Sequence, residues 1–254
     1  VRGERRGWDT MFYPASGHRI EPCYIRKVLK NSRAVNSLFA EADNDAFCCS
    51  RSLEELRDLN HTGALAWIER FENGVNQTGK PLPEVLAKRG MHWYEMKDTN
   101  VADIVTTMNP DRRLFFAKFE SPSFINQRLI GLKTTADNPD IDLYHALLNS
   151  LLGMFYIEAV GFGRGLGALD ISSTTIRNAY MLKPNIIDGQ QRERILEKFD
   201  ALLQREVYST ERELSETDRI EFDHEVLRAY GIEQYYNDIK NSLLSMQRMR
   251  LGVR

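Results

Sequence analysis

The chain has 254 residues, 42% of them hydrophobic and 28% charged, and a formal net charge of −2 at pH 7. This composition supports one large core or two modest ones, and the near-neutral balance provides no overall electrostatic pull on nucleic acid. The longest apolar stretch, Ala146 to Val160, is broken by Asn149, Ser150 and Glu158, so it falls short of the roughly 20 apolar residues that a membrane span requires.

The chain opens on charged residues, Val1 to Gly7, which do not make a secretory signal. Lacking an initiator Met, it is read as beginning inside a longer polypeptide. Cys23, Cys48 and Cys49 have neither the two-residue gap of metal or redox pairs nor an even number, and we expect a reducing cytoplasm. The start is basic: Arg2, Arg5, Arg6, Arg19, Arg26, Lys27, Lys30 and Arg33 stand against Glu4, Asp9 and Glu21. Within it, Arg5-Arg6-Gly7-Trp8 joins two cations to a ring that can stack on a base; a frayed cationic terminus has the same composition.

Residues 8 to 90 mix short apolar runs with turn signals such as Asn73-Gly74 and Gly79-Lys80-Pro81, which predicts a mixed α/β region. Helices are expected over about 21–38 and over Ser52–Leu59, where Ser52 and Glu55 have the spacing of a capping box. His92 beside Trp93 and Tyr94 is read as core packing. Strands are expected over 113–119 and 124–132, bounded by Pro122 and the turn after Gly131. They carry Arg113, Lys118 and Arg128, with Arg112 and Lys133 at their ends. Strand alternation places Arg113 and Phe115 on one face and Lys118 on the other, and Arg113 and Arg128 are taken as candidate phosphate contacts.

A turn cluster, Asp137-Asn138-Pro139-Asp140, divides this α/β region, 1–136, from a mostly helical region, 137–254. The expected class is α+β. Helical spacing covers about 142–160, 189–205, 211–229 and 233–247. Between the first two lies a run of four glycines, Gly161, Gly163, Gly165 and Gly167, around Arg164. Such a loop allows a backbone to approach a phosphate closely while a cation probes it; a flexible helix-to-helix connector would look alike. It is no dinucleotide fingerprint, since Leu166 stands where the third glycine would fall and a helix precedes it. The stretch 205–233 is acidic, with nine carboxylates against four arginines.

Catalytic spacings fail. Asn109-Pro110-Asp111-Arg112 and Asn138-Pro139-Asp140-Ile141 begin like the Asn-Pro-Pro-aromatic loop that holds a flipped adenine, and both fail at the third and fourth positions. Glu95-Met96-Lys97 precedes Pro110-Asp111, in the wrong order for a metal-dependent nuclease, and no GxSxG occurs. The histidines at 18, 61, 145 and 224 have no metal spacing. No catalytic residue, metal or cofactor site is expected in this chain.

Several motifs occur in a telling order: Arg6-Gly7, Trp93-Tyr94-Glu95, Asn126-Gln127-Arg128-Leu129-Ile130, Ala146-Leu-Leu-Asn-Ser150, and Gly163-x-Gly-x-Gly-Ala-Leu-Asp-Ile171. In that order they resemble the C-terminal part of restriction-modification adenine-N6 DNA methyltransferases, the gamma-class and type IIG enzymes. The resemblance implies a target-recognition domain that grips duplex DNA and works with a separate methyltransferase domain of the same parent chain, which binds S-adenosylmethionine and carries the Asn-Pro-Pro-aromatic loop. It places Gly163, Arg164, Gly165 and Gly167 in the family's glycine loop, and Arg6 and Gly7, with Arg5 beside them, in its entry segment. The chain departs from the family after the loop, where Ile171-Ser-Ser-Thr-Thr-Ile176 replaces the usual basic residue and Leu-Pro pair. Two other readings stand beside this one: a protein-interaction module that docks through the acidic helices of 205–233, and a divergent nuclease with dispersed acids.

Overall fold

The computed structural model describes residues 11, 13–15, 17–31, 33, 35–97, 101–134, 140–164 and 168–252, with the backbone alone at Phe162, Arg164 and Ala168. The class is α+β, in two compact units, one formed by 1–30 and 42–101 and the other by 31–41 and 102–254. The passage from strands to helices foreseen near 136 lies inside the second unit.

In the first unit, strand β1 (Ile25–Leu29) pairs antiparallel with β3 (Asn44–Phe47), Ile25 opposite Phe47. The helix expected over 21–38 is therefore corrected. Pro22 opens a single 3-10 turn to Tyr24, and the β-branched Ile25 and Val28 then extend into a ladder whose partner lies sixteen or more residues away, as Val28 opposite Asn44 shows. Helix α1 (Leu53–Asp58) has the foreseen capping box: the Ser52 hydroxyl accepts from the Glu55 N–H, and the Glu55 carboxylate accepts from Ser52 N–H. Helix α2 (Thr62–Glu72) buries Ala64, Trp67, Ile68 and Phe71, one stripe at helical spacing. It has no capping side chain of its own. Glu21 supplies the missing acceptor, taking the Gly63 and Ala64 N–H groups at 2.9 and 2.8 Å. Burial alone would raise the Glu21 pKa, but these backbone donors outweigh it and hold the carboxyl below its usual range. The short helix α3 (Leu82–Leu86) closes a core that includes Met11, Phe47, Leu56 and Tyr94. Tyr94 packs in this core, 2% exposed, its hydroxyl donating to Arg51 O, whereas His92, read as core packing, is exposed and only stacks on the outer side of the pair with Tyr94, ring centroids 5.2 Å apart.

In the second unit, β4 (Ala102–Thr107) lies between β5 (Ala117–Ile125) and β6 (Leu129–Leu132), antiparallel to both, and the short β2 (Phe39–Ala40) joins β5 in parallel. The two expected strands are thereby redrawn. Residues 113–116 precede β5, Pro122 falls within it, and a turn at 126–128 separates it from β6.

The apolar helix expected over 142–160 is two helices, α4 (Ile141–Asn149) and α5 (Leu151–Val160), which meet at 67°. The break is written in the side chains. Ser150 ends one helix with extended backbone and caps the next, its hydroxyl accepting from the Gly153 N–H. Gly153 is required there, because a Cβ would lie 2.3 Å from Leu147 O. The buried Asn149 amide pairs with strand β5 at its root, accepting from Phe116 N–H at 2.9 Å and donating to Phe116 O at 2.8 Å. Beneath the break, Arg219 donates to Asn149 O and to Asp223, and Asp223 accepts the Leu151 N–H at 2.7 Å. His145, 1% exposed, contacts Phe116 O through Nε2, and burial pushes its pKa down to about 4.

After α5 come β7 (Phe162–Arg164) and β8 (Ala168–Asp170), an antiparallel hairpin with Gly163 opposite Leu169. Five helices follow: α6 (Ser173–Asn178), α7 (Gly189–Leu203), α8 (Thr210–Glu213), α9 (Thr217–Ala229) and α10 (Tyr236–Leu251). The expected helix 211–229 is thus broken between Glu213 and Thr217. Ile195, Phe199 and Leu202 of α7 pack with Phe222 and Val226 of α9 and Leu143 and Leu147 of α4. Among the described residues no single helix is long and apolar enough to cross a membrane.

Candidate nucleic-acid interface

The candidate surface is organised by the short connection that leaves β4. Met108 N–H donates to Arg128 O, 3.4 Å, and Met108 O accepts from Ile171 N–H, 2.8 Å. One residue therefore ties the β5–β6 turn on one side to the strand that leaves the glycine hairpin on the other. Asn109 reinforces the second tie, its amide donating to Leu169 O at 3.3 Å and to the Asp170 carboxylate at 3.1 Å. The Asn-Pro pair at 109, which fails as a catalytic loop, serves as the anchor of the hairpin. Pro110 and Asp111 are fixed in turn by Arg250, which donates to both carbonyls and to Glu158 in a buried ion pair, side chains 6% and 2% exposed.

The described part of the glycine run after Gly161 is the first strand of a β-hairpin, Phe162–Arg164 against Ala168–Asp170. Its second strand is rooted by Leu169, 2% exposed in the main core. Gly163 lies on the exposed side, and a Cβ there would meet nothing within 4 Å, so neither crowding nor a left-handed backbone demands glycine at that position. The Arg164 backbone faces Ala168. Gly165 and Gly167 lie outside the described residues, as do Arg5, Arg6 and Gly7.

Of the other foreseen cations, Arg128 is brought to this surface. It is exposed in a turn held by Asn126, whose side-chain oxygen accepts the Arg128 N–H at 3.0 Å, and its guanidinium is left to solvent among the described residues. Arg113 is half-buried and occupied: it donates to Asn36 at 3.1 Å and lies over the Phe115 ring, 5.8 Å from its centroid. Lys118 pairs with Asp142. Residue patterns alone gave no warning of the anchoring role of Asn109 or of Tyr180, 77% exposed with its ring against Tyr156 of α5 at 5.7 Å. The Asn-Pro pair was visible, but its role depends on a partner sixty residues on.

The fold has a counterpart among solved structures. Nearly the whole chain superposes on part of the type IIG restriction endonuclease BpuSI. The match covers 99% of this chain and 34% of that one, with a TM-score of 0.56 and 11% sequence identity. The chain therefore spans about a third of the length of that enzyme. No family model and no curated protein matches the sequence.

The acidic stretch looks different once folded. Each carboxylate from Glu211 to Glu233 has a cationic partner: Arg248 for Glu211, Arg205 for Glu213 and Asp218, Arg212 for Glu216, Lys198 for Glu221, Arg219 for Asp223, and Arg228 for Glu225 and Glu233. Local pairing replaces the single-sign field that the sequence suggested. Among the described residues no group of His, Cys, Asp and Glu side chains has the arrangement of a metal site.

Proposed function

We propose that this chain is the DNA-recognition part of a restriction-modification enzyme, which holds duplex DNA while the reaction is carried out elsewhere in a longer parent protein. The observation that carries this reading is the likeness of almost the entire chain to a portion of a type IIG restriction endonuclease. The order of motifs noted above points the same way, and it suggests adenine-N6 methylation with S-adenosylmethionine bound by the parent's other domain. The hairpin suits the role physically. A two-stranded ribbon is one of the shapes a major groove admits, and Gly163 leaves the ribbon bare of side chain where a close approach would occur. Arg128 at the neighbouring turn and Arg164 on the ribbon supply cations for phosphates.

The acidic-docking reading draws less support, because every carboxylate of that stretch from Glu211 to Glu233 is engaged in an ion pair within the chain. The test is duplex binding by fluorescence anisotropy with Arg128→Ala and Arg164→Ala. Each is expected to weaken binding to every sequence alike and to reduce the salt slope by about one. A loss confined to one sequence would reassign that arginine to base reading. Unchanged affinity in both variants would remove the hairpin and its neighbouring turn from the interface.

A further inference from the structure

A second cleft, on the same β4–β5 connection but beyond the hairpin anchor, has no part in the surface described above. It has a volume of about 320 Å³ and is lined by Arg112, Ser209, Glu211, Leu244, Gln247 and Arg248, among others. Arg112 is exposed, its backbone O fixed by the Thr210 N–H, and its guanidinium has no partner among the described residues. Ser209 precedes α8 without capping it, so its hydroxyl is not committed there. Gln247 is 4% exposed, and its side-chain Nε2 is buried with no hydrogen-bond acceptor. Buried donors are nearly always satisfied, so an orphan amide lining a cleft beside a spare guanidinium and a spare hydroxyl points to a missing acceptor. Arg248 stands at the rim, held by Glu211 in a pair whose side chains are 68% and 65% exposed. Exposed pairs of this kind are weak enough to open.

We propose that this cleft binds a phosphate group. Arg112 and, once released from Glu211, Arg248 supply the charge; Gln247 and Ser209 supply neutral donors at the floor and wall. Glu211 is the opposing charge and keeps the site weak until it is displaced. Only the source of the phosphate, a nucleic-acid backbone or a free phosphate-bearing molecule, depends on the DNA-recognition reading.

The experiment is a titration of the isotopically labelled 254-residue chain with inorganic phosphate, followed by NMR, with chloride at matched ionic strength as the control. The Gln247 side-chain amide and the Arg112 signals are expected to shift saturably. Arg112→Gln, at an exposed position, should weaken phosphate binding about tenfold, and Glu211→Gln should tighten it about threefold. No saturable shift beyond that in chloride, or no response of binding to either substitution, overturns the proposal. A short duplex forms the second arm. If it moves the same signals, the phosphate is that of a nucleic-acid backbone; if only inorganic phosphate moves them, the ligand is a free phosphate compound. Failure of duplex binding as a whole would count against the DNA-recognition reading and leave the phosphate titration to be judged by itself.

Discussion

Replacing Asn149 by alanine removes an amide that completes a strand from within a helix. Phe116 N–H would lose its acceptor in a fully buried position, at a cost of about 1–3 kcal/mol for the orphaned donor. Phe116 O keeps His145 Nε2 as a contact, so losing the amide donor there costs less, about 1 kcal/mol. The space left by the truncated side chain adds about 1 kcal/mol in a packed core. The total is about 4 kcal/mol, which lowers the melting temperature of a domain of this size by about 8–16 °C. Thermal and urea unfolding of Asn149→Ala would measure it. Asn149→Asp should be at least as damaging at pH 7, because a carboxylate cannot donate to Phe116 O and would bury a charge. Stability within about 0.5 kcal/mol of the parent, combined with lost DNA binding, would refute the reasoning and make Asn149 a ligand contact.

The buried His145 should make stability fall with acid. Its folded pKa of about 4 lies below the ordinary value of 6.5, so its contribution is complete above pH 6.5 and is lost as pH falls towards 4. The loss amounts to roughly 3 kcal/mol. Urea unfolding from pH 7 to 4 should show it, and His145→Gln should flatten that window; an equal slope in the variant would contradict the assignment. Asn109→Ala should release the hairpin base with little change in melting temperature. Amide exchange across the Phe162–Arg164 and Ala168–Asp170 ladder is then expected to quicken by about fivefold, from two lost hydrogen bonds worth about 1 kcal/mol together, and unchanged protection would show that Asn109 is not the anchor.

What the sequence made legible was local. The Ser52–Glu55 capping box lies within four residues and appears as read, and the helices near 189–203 and 236–251 follow from spacing that each segment carries itself. What it hid depends on distant partners. Ile25–Leu29 is a strand because Asn44–Phe47 lies alongside it. The helix over 142–160 breaks because Ser150 caps in two directions and Asn149 is claimed by Phe116. Gly161 to Gly167 gave no strand signal, since glycine is a poor strand former, and the hairpin exists through its register with Ala168–Asp170 and the Asn109 tie. The candidate surface was legible in part: Arg128 and the glycine run were singled out, while Asn109, which positions the hairpin, was visible only as a motif that failed. The Leu-Asn-Ser segment that helped mark the resemblance turns out to hold the fold together.

The most direct test is the affinity of the 254-residue chain for duplex DNA as a function of salt. If the chain is a DNA-recognition domain, binding is tight at low salt and log K falls linearly with log salt concentration, each phosphate contact adding about 0.9 to the slope. Absence of binding at low salt, both for the chain alone and for the chain joined to the rest of its parent protein, would contradict the account.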